Sequence, residues 1–291
     1  MSELPTIAVL LPCYNEEVAI GRVLRDFKGA LPNATLYVYD NNSTDCTADI
    51  ARAAGAVVRI ERLQGKGNVV RRMFADIEAD IYVLADGDDT YHAPSAPQMI
   101  RLLLTERLDM VNGARMTDSD TAYRPGHRLG NKLLTRIVAY FFGDRIGDLL
   151  SGYRVLSRRF VKSFPALASG FEIETELTVH ALELRMPIIE VPTPYKDRPE
   201  GSNSKLSTYK DGFRILWMIG KLIRDERPLL FFSVVALLLA LLALVLVVPI
   251  FVTYAQTGFI PRFPTTILAT GLMLLAFLSF ACGLIGPRCR R

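Results

Sequence analysis

The chain has 291 residues, half of them hydrophobic, and 34 Lys and Arg against 30 Asp and Glu give it a formal charge of +4. That length allows one domain of about 200 residues plus an extension, and the basic residues are too dispersed to make nucleic acid an expected partner. The four cysteines, Cys13, Cys46, Cys282 and Cys289, have neither metal-ligand spacing nor the density of a disulfide framework, which points to a reducing compartment.

The first apolar run, Ile7–Leu11, has no basic region before it and enters Pro12-Cys13-Tyr14-Asn15-Glu16. It reads as a strand running into a loop and not as a signal peptide. Further strands are predicted at Thr35–Tyr39, Val57–Ile60, Ile81–Ala85 and Leu108–Val111, with helices at Glu17–Phe27, Thr47–Ala54, Asn68–Glu78 and Pro97–Thr105. Ser43-Thr44-Asp45 supplies a cap for the second helix and Gly55 ends it. Alternation at this spacing predicts an α/β domain with a mostly parallel sheet. After Arg115 the regularity breaks. A helix at His127–Phe142, the segment Asp144–Arg154, a helix near Glu172–Arg185, a strand at Ile188–Val191 and a Pro/Gly/Ser-rich loop over 192–207 complete a domain of residues 1–207.

Residues 208–228 form a second region. Tyr209, Phe213, Leu216, Gly220 and Ile223 recur at helical spacing opposite Lys210, Arg214, Lys221 and Arg224, the pattern of an amphipathic helix lying at a membrane interface. Residues 229–291 carry two apolar spans, about 229–252 and 265–286. Each is long enough for about 30 Å of helix, the thickness of a bilayer core. Lys221, Arg224 and Arg227 precede the first span and Arg288, Arg290 and Arg291 follow the second, while the link between them carries only Arg262. The positive-inside rule then puts both ends and the catalytic candidates on the cytoplasmic side of an inner membrane.

Polar clusters fall after successive strands: Pro12 to Glu16, Asp40 to Asp45, Gly65-Lys66-Gly67-Asn68, Asp86-Gly87-Asp88-Asp89 and Asn112-Gly113-Ala114-Arg115. In a parallel sheet all of these share the rim where ligands bind. Carboxylates with room for water suit Mg²⁺ or Mn²⁺ shared with the phosphates of a nucleotide, although a solvated acidic turn has the same composition.

Pro12-x-Tyr14-Asn15-Glu16, Asp40-x-x-Ser43-Thr44-Asp45, Gly65-Lys66-Gly67, Asp86-x-Asp88, Ser151-Gly152-Tyr153-Arg154 and Arg198-x-x-Gly201-Ser202-x-Ser204-Lys205 occur in that order. Together they resemble the family 2 glycosyltransferases, and within them the polyprenyl-phosphate (dolichol-phosphate mannose synthase-like) group. The resemblance implies a GT-A fold and inverting transfer of a sugar from a nucleotide donor to a lipid phosphate. It implies that Pro12, Tyr14, Glu16 and Asp40 hold the base and ribose, with Lys66 near the nucleotide. Asp86 and Asp88 would meet ribose and metal, and Arg115 and Arg198 would approach the diphosphate. Asp148 would be an active-site acid acting as a base or a positioning group, Arg128 would meet the acceptor phosphate, and Ser204 and Lys205 would lie on the closing loop. The mannose synthases have Leu-Gln after this acid pair where this chain has Asp89-Thr90, so Asp89, Thr90 or water would replace the glutamine as metal ligand. Homo-oligomerisation is left open.

Glu172, Glu174 and Glu176 have a second reading as a solvated helix face, with Glu176 resembling a family glutamate; Glu106 and Asp109 read as surface. A processive polysaccharide synthase is the alternative enzyme, but the lone Trp217 follows Ile215-Leu216 and no Gln-x-x-Arg-Trp motif is present. A non-catalytic nucleotide-sugar-binding scaffold is the alternative of a different class.

Overall fold

The computed structural model describes residues 5–116, 127–143, 146–199, 201, 208–260 and 262–285, and the chain divides into two compact units, Met1–Met218 and Ile219–Arg291. In the first unit β1 (Ile7–Cys13), α1 (Ile20–Ala30), β2 (Thr35–Asp40), α2 (Thr47–Ala53), β3 (Val57–Ile60), α3 (Lys66–Asp76) and β4 (Ile81–Leu84) alternate as expected. A 3₁₀ turn at Ala93–Ser95 leads into α4 (Ala96–Thr105), then β5 (Met110–Met116) and α5 (His127–Phe142). Next come β6 (Arg154–Ser157), α6 (Arg158–Ser163), α7 (Ile173–Glu183) and β7 (Ile188–Pro194).

The seven strands form one sheet in the order β3-β2-β1-β4-β6-β5-β7. β1, β2, β3 and β4 are mutually parallel where they pair, as are β5 and β7, while β6 runs antiparallel to β4 and β5. Val9, Leu11, Val38, Val83, Val111 and Val155 from the five central strands join Ile20, Leu24 and Phe27 of α1 and Met99 and Leu103 of α4 in one buried core. Burial on both sheet faces is what continuous apolar strands require.

Three expectations change. β6 falls inside the irregular stretch: its apolar core is only Val155-Leu156, too short for periodicity to register. β5 runs on through Asn112 to Met116, because β7 pairs with it in register as far as Met116↔Pro194. Asn112-Gly113-Ala114-Arg115 is therefore strand and not the loop after one. Asp109, expected at the surface, is buried, where Ser157 Oγ donates to it at 2.7 Å and the Arg159 guanidinium pairs with it.

α8 (Thr208–Glu226) follows the first unit's strands in sequence. Ile215, Met218, Ile219 and Ile223 are buried along it, and Phe213, Leu216 and Trp217 are exposed. The expected apolar stripe through Phe213 and Leu216 is thus only one of two; the buried one repeats at three and four residues as well.

In the second unit α9 (Pro228–Thr257) and α10 (Phe263–Ile285) are each long and apolar enough to cross a membrane. Their buried residues are Ala243, Ile250, Ala269, Ala276 and Gly283, nearly all small. Gly283 comes close to Leu229 and Phe232, the approach that small residues permit between apolar helices.

Candidate active site

Four loops leave β1, β2, β4 and the start of α3 on one rim of the sheet. After β1, Asn15 takes a left-handed backbone (φ 52°), tolerable for asparagine, and its Oδ1 accepts from Thr44 N at 2.8 Å. Its own N–H donates to Ser43 Oγ at 2.9 Å. Asn41 closes the next loop: its Nδ2 donates to the Glu61 and Leu63 carbonyls (2.8 and 2.9 Å), and its Oδ1 accepts from Gly65 N at 2.7 Å. Asp45 Oδ1 accepts from the N–H and hydroxyl of Thr47, the first residue of α2. Asp40 is held by only one oxygen, which accepts from Ser43 N at 3.1 Å. Its Oδ1 is buried with no partner among the described residues, an acceptor of the kind that a ligand N–H or O–H completes.

The acids of the β4 loop are all paired. Lys66 Nζ lies 2.5 Å from Asp86 Oδ1 and 2.7 Å from Glu174 Oε1, with Lys66 and Glu174 nearly closed off from water and the Asp86 side chain 26% exposed. Burial alone would lower the Lys66 ammonium, but Asp86 and Glu174 outweigh it and raise it, so it stays charged. The two flanking glycines put Lys66 there. A Cβ on Gly67 would overlap the Ala168 carbonyl, and one on Gly65 the Ser169 carbonyl.

Asp88 is buried, accepts from the Thr90 hydroxyl at 2.6 Å, and pairs through Oδ2 with the Arg198 guanidinium. Burial and the neighbouring Asp86 raise its carboxyl above the usual range, against the pull of Arg198. Arg198 also stands 3.9 Å from Glu16 Oε1, which brings the loop after β1 and the acid loop together. Asp89 is directed elsewhere. Its left-handed backbone (φ 59°) turns the carboxylate toward Arg22 (3.2 Å) and Lys196 (3.6 Å). Asp89 is thus ion-paired, as Asp86 and Asp88 are, and the Thr90 hydroxyl is engaged by Asp88.

Asp148 and Arg115 form a two-pronged pair: Arg115 Nε donates at 2.8 Å to one carboxylate oxygen and Nη2 at 2.7 Å to the other. The Arg115 backbone N–H adds a third contact at 3.1 Å. Such fork geometry fixes the guanidinium plane as well as the charge. Beneath it Arg154 is fully buried, donating to the carbonyls of Ser151, Leu149 and Glu174. Burial lowers its guanidinium to about 10, which still leaves it charged at neutral pH.

Pro12 and Tyr14 are half-buried on the same rim. Arg128 lies in the first turn of α5, with its side chain outside the described residues, and Ser204 and Lys205 lie outside them altogether. Glu174 and Arg154 carry no role in the sequence reading beyond a helix face and a motif. Glu172, Glu174 and Glu176 are all buried, so the solvated-face reading fails for each. Glu176 binds the backbone N–H groups of Leu167 and Ala168, both at 2.8 Å, which makes it a loop clasp. The one signal for their burial was that α7 has no clean polar face.

A mostly parallel sheet whose strand ends gather paired acids, a lysine and arginines, and whose fold matches solved nucleotide-sugar enzymes, defines a GT-A glycosyltransferase that uses a nucleotide sugar. Glucosyl-3-phosphoglycerate synthase from Mycobacterium tuberculosis, solved with Mn²⁺, UDP and glucosyl-3-phosphoglycerate, superposes with a TM-score of 0.62 at 26% identity, over 75% of this chain and 79% of that one. Residues 8–164 match the family described as Glycosyl transferase family 2, and the chain belongs to it. The glycosyltransferase AglJ of Haloferax volcanii is 35% identical over 233 residues, 78% of this chain and 75% of its own. A dolichyl-phosphate hexose transferase of the same organism is 29% identical over 221 residues, 76% of this chain and 95% of its own.

Proposed function

We propose that the protein transfers one monosaccharide from a nucleotide sugar, in the first instance a UDP-sugar, to polyprenyl phosphate. The product is a β-linked polyprenyl-phosphate sugar serving cell-envelope glycan or glycolipid modification. The observation that carries this reading is the presence in one chain of the ion-paired glycosyltransferase rim and two helices apolar enough to cross a membrane. A polyprenyl acceptor cannot leave the bilayer, and the dolichyl-phosphate relative supports that acceptor class. The basic residues flanking the first span and the sparse charge between the spans support an inner-membrane anchor with the first unit on the cytoplasmic face.

Among the described residues no three His, Cys, Asp or Glu side chains form a ready-made metal cage. Asp86 and Asp88 nonetheless fit Mg²⁺ or Mn²⁺, which takes few carboxylates and fills its shell from phosphates and water. Asp88 already carries a cationic partner, the Arg198 guanidinium, so this carboxylate is built to face positive charge. When bound, the ion would supply charge against the departing diphosphate.

The chain's own residues do the rest. Asp40 Oδ1 offers an acceptor to the base or ribose, and Arg115 and Arg198 bring fixed positive charge to where the diphosphate develops its own. A lipid phosphate is anionic near neutral pH and attacks without a general base. Asp148, held by three N–H groups of Arg115, acts as the group that orients that arginine. In-line displacement at the anomeric carbon inverts it, so an α-linked donor gives a β-linked lipid.

The test is to supply purified full-length protein with polyprenyl phosphate and a panel of radiolabelled UDP- and GDP-sugars, with Mg²⁺, Mn²⁺ or EDTA. Metal-dependent passage of label from one donor into the organic phase is the expected result. Nucleotide-sugar binding with no lipid product from any donor would overturn it in favour of a binding scaffold.

A further inference from the structure

Glu190 lies on β7 directly opposite Asn112 of β5 in the parallel register. Its carboxylate gathers the backbone of the loop that carries Asp148. Gly147 N donates to Oε1 at 3.0 Å and to Oε2 at 3.1 Å, and Asp148 N donates to Oε2 at 3.0 Å. Asn112 braces the same point from the neighbouring strand, with Nδ2 donating to Glu190 Oε2 at 2.9 Å and to the Asp148 carbonyl at 3.0 Å. Both peptide groups flanking the Asp148 side chain are therefore held by the sheet and not by their own loop. A Cβ at residue 147 would sit 2.9 Å from Glu190 Oε1, so a larger residue there would displace this carboxylate.

A carboxylate suits this task because it offers only acceptors and meets several N–H groups without turning a donor toward any of them. Glu190 touches neither Arg115 nor the acid loop in any contact described above; its reach to the site is through the 147–148 backbone. Resting on the reading of Asp148 and Arg115 given above, we infer that Glu190 is a positioning residue for the transfer reaction. It fixes the Gly147–Asp148 backbone so that the Asp148 carboxylate presents Arg115 in one orientation. Asn112 and Gly147 are the other two parts of that mount.

The variant Glu190→Gln keeps the shape but turns an NH₂ toward one of the backbone donors. In the full-length protein, hydrogen exchange at the Gly147 and Asp148 amides should accelerate by about tenfold or more, with the β1–β4 amides unchanged. In the lipid-transfer assay kcat should fall by about 10- to 100-fold while the donor KM stays within about twofold. In an Asp148→Asn background the same change should cost less than about twofold, because its effect has already been removed. If E190Q does not fold, Gly147→Ala attacks the mount from the other side and should give the same exchange and kcat signature.

Unchanged exchange at 147–148 overturns the inference. So does an E190Q loss that multiplies fully with D148N, or one that falls on KM. If the wild-type protein transfers no label, the transfer reading fails on its own, and exchange at 147–148 decides whether Glu190 holds this backbone.

Discussion

Two kinds of polar construction share the rim. The loops after β1 and β2 are tied mainly by hydrogen bonds to backbone groups, with neutral Asn15, Asn41 and Thr47 working beside the carboxylates of Asp40 and Asp45. The acids after β4 and before β6 are tied to cations instead: Asp86 to Lys66, Asp88 to Arg198, Asp148 to Arg115. A neutral clasp is lost if its partner leaves, because nothing else of the right shape replaces a backbone carbonyl. An ion pair can trade its cation for another, or its anion for a phosphate, while each group keeps a partner. The first region is thus a fixed frame, and the second is a set of charges that a charged ligand can re-pair.

The sharpest way to break this contrast is Asp88→Asn. Asparagine keeps an oxygen for Thr90 but loses the charge, so transfer should fall by about 10³-fold while the protein stays folded and in the membrane fraction. Full activity would mean that this carboxylate's charge does no chemical work. Next in size, Lys66→Met leaves the buried Glu174 and the half-buried Asp86 without their shared cation. It should cost about 3–5 kcal/mol of stability in denaturant titration of the solubilised protein. Asn41→Ala removes three neutral hydrogen bonds and should cost about 2 kcal/mol by the same measurement. A loss as large as that of K66M would erase the distinction between frame and charges.

The smallest effect lies away from the rim. His180 packs edge-on against Phe160 and Phe164, with centroids 5.5 and 5.3 Å away, and burial lowers its imidazole below 6.5. The unfolded chain then takes up this proton at higher pH than the folded one. Stability from this residue is full above about pH 6.5 and declines as pH falls through that value toward the lowered folded one. Thermal melts between about pH 7 and pH 5 should show this slope in the wild type and lose it in His180→Gln.

The rim was legible in the sequence because parallel topology sends the loops after β1, β2 and β4 to one edge. A list of post-strand polar residues, Asp40, Asp86 and Asp88 among them, is therefore also a list of neighbours. The partners of the charges were not legible. Glu174 lies 108 residues from Lys66, and Glu190 lies 42 from Asp148. What joins each pair is an antiparallel strand with an apolar core of two residues and a helix whose acids have no polar face to announce them. Asp89 is a further case: its pairing with Arg22 and Lys196 goes with a left-handed backbone that no sequence pattern announces.

The place of β6 between β4 and β5 has a consequence for assembly. β5 pairs only with β6 and β7, and both follow it in the chain. While residues 7–84 are enough to lay down β3-β2-β1-β4, β5 leaves the ribosome with no sheet edge of its own to join. It must wait until β6 has added to the exposed edge of β4. Proteins build N-terminal parts first during synthesis, and long-range strand pairing is slow. The frame of the β1 and β2 loops is therefore an early product of folding. Lys66, Asp86 and Asp88 sit on or beside that early segment, whereas Arg115, Asp148, Glu174 and Arg198 reach them only once β6, β5 and β7 have closed the sheet.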